Sequence, residues 1–144
     1  MHKWSIGDLS RATGTKVPTI RYYESAGLLR RPPRSAGNHR LYTEEDLRRL
    51  EFIRHCRDLG LPLADIAQLL DLRARPDQPC GKADAMVERH LVDVERRIAR
   101  LEALRDELRR IVSTVCPGPV ATCGVIEALG DHRQCSHAHA EETV

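Results

Sequence analysis

Three cysteines set the chemistry open to this chain. Of its five, Cys80 and Cys116 bracket a stretch from Lys82 to Val115 that contains neither Gly nor Pro, and Cys123 lies seven positions beyond Cys116. Thiolates are soft ligands that select Cd(II), Pb(II), Hg(II) or Zn(II) over hard cations, and three of them carry a summed charge that suits a divalent ion. Read as one helix, the intervening stretch spans about 51 Å, so Cys80 and Cys116 of a single chain cannot share an ion. A second Cys/His group, His132, Cys135, His137 and His139, has the composition of a metal-binding tract. From composition alone it is either a second site or a chain end with incidental affinity. Cys56 follows Phe52 and Ile53 at helical spacing and reads as a small core residue.

No His-Glu-x-x-His, nucleophile elbow or phosphate loop occurs, and the three thiols have no general base beside them in sequence, which argues against an enzyme. No apolar run approaches 18 residues, so no membrane span is expected. The first residues, Met-His-Lys-Trp-Ser, hold no apolar signal region, and a cytoplasmic location is expected. In a reducing compartment, five cysteines point to metal or redox chemistry rather than a disulfide framework. The net charge of +2 conceals a division. Residues 1–42 carry eight Lys/Arg against Asp8 and Glu24, whereas residues 76–144 carry nine basic and twelve acidic side chains. A basic N-terminal block suits a polyanionic partner.

The elements that must position these groups are mainly helical. With aromatics at 3%, the chain suits helices packed with Leu, Ile, Val and Ala. Ser5 with Asp8 makes a capping box for a first helix that Gly14 ends. A second helix starts near Lys16, tolerates Pro18 in its first turn and stops at Gly27. Two short helices about a Gly-containing turn form a helix-turn-helix candidate. Pro32 and Pro33 forbid helix, and Gly37-Asn38 signals a turn between two extended arms bearing Arg34 and Arg40, a small wing. Thr43 caps a third helix over 44–58, and a fourth covers Leu63–Arg73. Residues 75–81 read as a linker. Along the long helix, Val87, Leu91, Val94, Ile98 and Leu101, then Leu104, Leu108, Ile111 and Val115, recur at alternating spacings of four and three. That narrow stripe with charged flanks predicts a coiled-coil seam and a homodimer. His90 falls beside the seam and reads as packing or surface.

The motifs Thr19-Ile20-Arg21-Tyr22-Tyr23-Glu24, Gly27-Leu28-Leu29, Arg34-Ser35-Ala36-Gly37-Asn38-His39-Arg40-Leu41-Tyr42 and Phe52-Ile53-Arg54 together resemble the MerR family of bacterial transcription regulators. The resemblance covers nearly all of residues 4–130. It implies a winged helix-turn-helix DNA-binding domain with connector helices (1–75), a hinge and long antiparallel dimerisation helix (76–115), and a metal-binding loop with a Cys/His-rich tail (116–144). It places Arg21 and Tyr22 against DNA, with Lys16 and Thr19 near the same helix end. Arg34, His39 and Arg40 belong to the wing, and Arg57 fits a phosphate contact at the end of the third helix. His39 stands where the family more often carries Tyr or Phe. Tyr23 reads as core. Guanidinium forks suit bidentate phosphate contacts, which position more than they read sequence.

An antiparallel pairing brings Cys80 of one chain to the partner's Cys116 and Cys123, giving two equivalent sites. In the family, copper-type sensors lack a thiol at the position of Cys80, and the mercury branch carries a longer loop. Zinc sensors usually recruit further Cys/His ligands, and Pro117 stands where one of them would be. The Cys116–Cys123 separation is similar to that of the cadmium/lead branch, so Cd(II) or Pb(II) is the expected effector, with zinc-, mercury- and copper-responsive regulators as alternatives. The resemblance further implies promoter DNA and RNA polymerase as partners. A redox- or drug-sensing regulator on the same scaffold is the other alternative. An iron–sulfur sensor would need four clustered cysteines, and a drug sensor would need a larger effector domain.

Overall fold

Capping chemistry sets where the first helix begins. In the computed structural model, which describes residues 2–113 and 118–131, α1 spans Ile6–Thr13. The Asp8 amide donates to Ser5 Oγ at 3.1 Å, and the Ser5 amide donates to the Asp8 carboxylate at 3.2 Å. Gly14 ends the helix at φ 64, and a Cβ there would collide with the Arg54 guanidinium. α2 (Val17–Ser25) carries Pro18 in its first turn, where its missing N–H costs nothing. Gly27, at φ 77, releases the chain toward the wing.

The wing turns as its Gly37-Asn38 pair predicts, with Asn38 taking the left-handed conformation at φ 65. Ser35 N donates to His39 O at 2.7 Å, and Arg34 pairs with Arg40 in an antiparallel bridge. Among the described residues the arms form isolated bridges rather than a ladder. Pro32 and Pro33 supply no N–H donors, so pairing cannot propagate. A second bridge ties Tyr42 to Trp4, with paired bonds of 2.8 and 2.9 Å.

Thr43 and Asp46 form the capping box of α3 (Glu44–Asp58), and α4 follows as Leu63–Arg73. α1 packs against α2 and α3, and α3 packs against α4. Leu9, Ile20, Tyr42, Leu50, Ile53 and Ile66 are fully buried between them. Full burial of such an apolar side chain contributes about 1.5–3 kcal/mol, which is what holds short helices together. Cys56 lies in this core, and burial pushes its thiol above the usual range.

The long helix, α5, runs Gly81–Val112, about 48 Å at 1.5 Å per residue. The chain divides into two compact units, residues 1–87 and 88–144. Beyond α5, a turn of 3-10 helix (Val120–Thr122) and a short α6 (Gly124–Gly130) occupy part of the segment read from sequence as a loop. Cys116, His132, Cys135, His137 and His139 lie outside the described residues. No helix among the described residues is long and apolar enough to cross a membrane.

Candidate nucleic-acid interface and metal-ligating thiols

Helical periodicity divides α2 into two faces. Ile20, Tyr23 and Glu24 are buried, while Lys16, Arg21 and Tyr22 are exposed and Thr19 is half-buried. Tyr23 is therefore core. Arg21 meets the wing across an open cleft of about 430 Å³, lined also by Arg31, Arg34, His39 and Arg40. The fold thus gathers four of the expected DNA-binding residues (Arg21, Arg34, His39 and Arg40) and adds Arg31, which the sequence reading passed over. Lys16, the N-cap of α2, and Thr19 and Tyr22 within it do not line the cleft. Converging guanidinium groups raise the local potential and attract a polyanion.

Two of these arginines are already held. Arg34 Nη1 donates to Asn38 Oδ1 at 2.8 Å across the wing turn. Arg40 Nη1 lies 3.2 Å from Glu24 Oε2, a carboxylate only 2% exposed. The Tyr42 hydroxyl donates to the other oxygen, Oε1, at 2.5 Å. Burial, then the Glu24 carboxylate, pushes the Tyr42 phenol well above its ordinary value of 10. The sequence reading missed Glu24, although its place one helical turn beyond Ile20 put it on the buried face. Arg57 is exposed, and its Nη1 donates to Leu61 O at 3.0 Å, closing the turn from α3 to α4.

Cys80 is exposed immediately before α5, with its Sγ 3.7 Å from Asp84 Oδ2. An apolar groove of about 310 Å³ opens beside it, between Phe52, Leu69, Leu72, Pro76 and Pro79. Cys123 is half-buried and stands as the N-cap of α6. Among the described residues no three His, Cys, Asp or Glu side chains are grouped to hold an ion. The two described thiols, Cys80 and Cys123, are chemically soft donors of the kind that suit a thiophilic divalent ion. Along α5, Val87, Leu91, Ile98, Leu101 and Leu108 of the expected seam are each at least 50% exposed, whereas Val94 and Leu104 are half-buried and Ile111 is buried within the chain.

Two family profiles match the chain. One, described as a MerR HTH family regulatory protein, covers residues 4–72, and one described as MerR, DNA binding covers residues 47–111. The chain is 38% identical over 129 residues to the HTH-type transcriptional regulator ZntR of Escherichia coli, covering 88% of this chain and 92% of that protein. It resembles the crystal structure of the transcription regulator PbrR691 from Ralstonia metallidurans in complex with lead(II), at 41% identity and a TM-score of 0.77. That match covers 88% of this chain and 98% of the other. It also resembles the dual-function regulator MerR of Bacillus megaterium in complex with mercury(II), at 27% identity and a TM-score of 0.66, covering 89% of this chain and all of the other.

Proposed function

The chain belongs to the MerR family of transcription regulators, and from that premise we propose that it binds promoter DNA as a homodimer and activates transcription in response to a divalent thiophilic metal, foremost Cd(II) or Pb(II). The observation that carries this reading is the placement of two thiols about one long helix. Cys80 precedes the first residue of α5, and Cys123 follows its last by eleven positions. A helix about 48 Å long holds its two ends too far apart for one ion. An antiparallel partner, joined along the exposed Leu91–Leu108 stripe, would bring Cys80 to the partner's Cys116 and Cys123. Dimer and metal site are then one assembly, repeated by the two-fold axis.

When bound, the ion supplies charge that neutralises the clustered thiolates and ties two chains together. The rest falls to the protein. Arg21, Arg31, Arg34 and Arg40 hold phosphates, with Lys16, Thr19, Tyr22, His39 and Arg57 around them. Effector binding changes DNA geometry only if the two conformations of the dimer differ in affinity for the effector. Bending a promoter site costs on the order of 1–6 kcal/mol, within reach of such a difference, and a distorted promoter presents both of its elements to RNA polymerase. The lead(II) complex of a regulator 41% identical supports a divalent ion, and the mercury(II) complex of a more distant one keeps mercury among the alternatives, beside zinc and copper.

Replacing Cys80 tests the division of labour. Cys80→Ser is expected to abolish the transcriptional response to Cd(II) and Pb(II) in a promoter-fused reporter while leaving promoter affinity intact. A retained response would remove Cys80 from the site. Lost DNA binding would overturn the separation of functions.

A further inference from the structure

Glu24 is an acidic side chain on a helix that otherwise offers cations to DNA, and its carboxylate is 2% exposed. Both of its oxygens are engaged by groups from the wing side: Oε1 accepts from the Tyr42 hydroxyl at 2.5 Å, and Oε2 faces Arg40 Nη1 at 3.2 Å. Tyr42 is itself fully buried and bridged to Trp4, so the carboxylate hangs on a fixed support. Arg40 is the least exposed of the cleft arginines and keeps 28% of its side chain open. A guanidinium carries five N–H donors in a rigid fork, so one edge can serve a carboxylate while another serves a phosphate.

We propose that Glu24 is a positioning residue for DNA binding: it locks the Arg40 fork and the wing to the recognition helix α2, so that Arg40 meets a phosphate in a set orientation. The inference rests on the DNA-binding reading above. It has a consequence of unusual sign. By net charge alone, removing a carboxylate beside a DNA surface strengthens binding and steepens its salt dependence. By positioning, the same change weakens binding, because Arg40 loses the partner that orients it.

The test measures binding of the full-length protein to a short random-sequence duplex by fluorescence anisotropy across a salt series, where affinity reads phosphate contacts. Glu24→Gln is expected to weaken binding about threefold to tenfold and to lower the salt slope by about one. Arg40→Ala is expected to do the same, and the double variant to be no worse than either alone, since both act through one contact. Tighter binding or an unchanged slope in Glu24→Gln overturns the proposal, as do additive effects in the double variant. Should Glu24→Gln fail to fold, Arg40→Lys carries the test. It keeps the charge but loses the fork that can serve Glu24 with one edge and a phosphate with another, and is expected to weaken binding about threefold to tenfold; unchanged affinity there overturns the proposal. Arg21→Ala separates the two levels. If it lowers the slope while Glu24→Gln does not, positioning by Glu24 is wrong and the DNA-binding reading stands. If wild type does not bind the duplex at all, both fall.

Discussion

Truncating Leu101 to alanine probes the dimer where it is most exposed to measurement. Leu101 is 64% exposed in the single chain, so closing the seam over it removes most of its apolar surface from water. Leu→Ala deletes three carbons, worth about 0.8 kcal/mol each when fully buried, so about 1.5 kcal/mol of seam energy is lost at this exposure. The two-fold axis doubles the loss to about 3 kcal/mol, which raises the dimer dissociation constant by about 150-fold. Alanine is the better helix former, so α5 itself is not weakened. Sedimentation equilibrium over a concentration series measures the constant directly. Glu102→Ala, on the charged flank of the stripe, serves as the control and is expected to leave it unchanged within about threefold. A Leu101→Ala protein that dimerises as tightly as wild type would refute the placement of the seam, and a monomeric wild type would refute the dimer.

The turn between α1 and α2 and the buried phenol give two further expectations. Gly14→Ala forces a side chain into the left-handed region at φ 64, at about 1–2 kcal/mol. The Arg54 guanidinium it displaces pairs with Asp58 only at the surface, 3.8 Å away, and adds little. The thermal midpoint of the DNA-binding unit, followed by circular dichroism, should fall by about 5 °C or more, and an unchanged midpoint would contradict the strain. Tyr42 gives an alkaline limit. Its folded phenol ionises above the ordinary value of 10, so as pH rises past 10 the unfolded chain releases a proton that the folded chain retains. Stability is full below that pH and falls above it. In urea titrations across this range, Tyr42→Phe should show a shallower fall than wild type, and an equal fall would remove Tyr42 as its source.

Signals that act within one helical turn were legible in the sequence. Ser5 with Asp8 and Thr43 with Asp46 announced their helices because a hydroxyl and a carboxylate three residues apart satisfy the same amides wherever they occur. Gly14 and the Gly37-Asn38 pair marked turns, though Asn38 rather than Gly37 takes the positive φ. The apolar spacing gave α4 its observed bounds. What escaped depends on partners distant in sequence. Glu24 pairs with Arg40 and Tyr42, sixteen and eighteen positions away, and in isolation a glutamate beside Tyr23 looks like an ordinary helix-surface residue. Arg57 carries no local sign of its bond to the Leu61 carbonyl, which exists only once the α3–α4 turn is formed. α6 leaves no periodic signal, because Gly124 and Gly130 bracket only five residues, too few for a periodicity to emerge. The thiols were legible as ligands, yet their grouping depends on a second chain.

That dependence gives the most direct measurement. Cys80→Ser and Cys123→Ser proteins are each expected to bind Cd(II) poorly, followed by ultraviolet thiolate-to-metal absorption. Coexpressed, they form mixed dimers in which one site draws Cys80 from one chain and Cys116 and Cys123 from the other, all intact. The mixture should recover roughly a quarter of the wild-type sites if the chains pair at random, together with part of the transcriptional response. A mixture that binds no more metal than its parents would contradict the shared site.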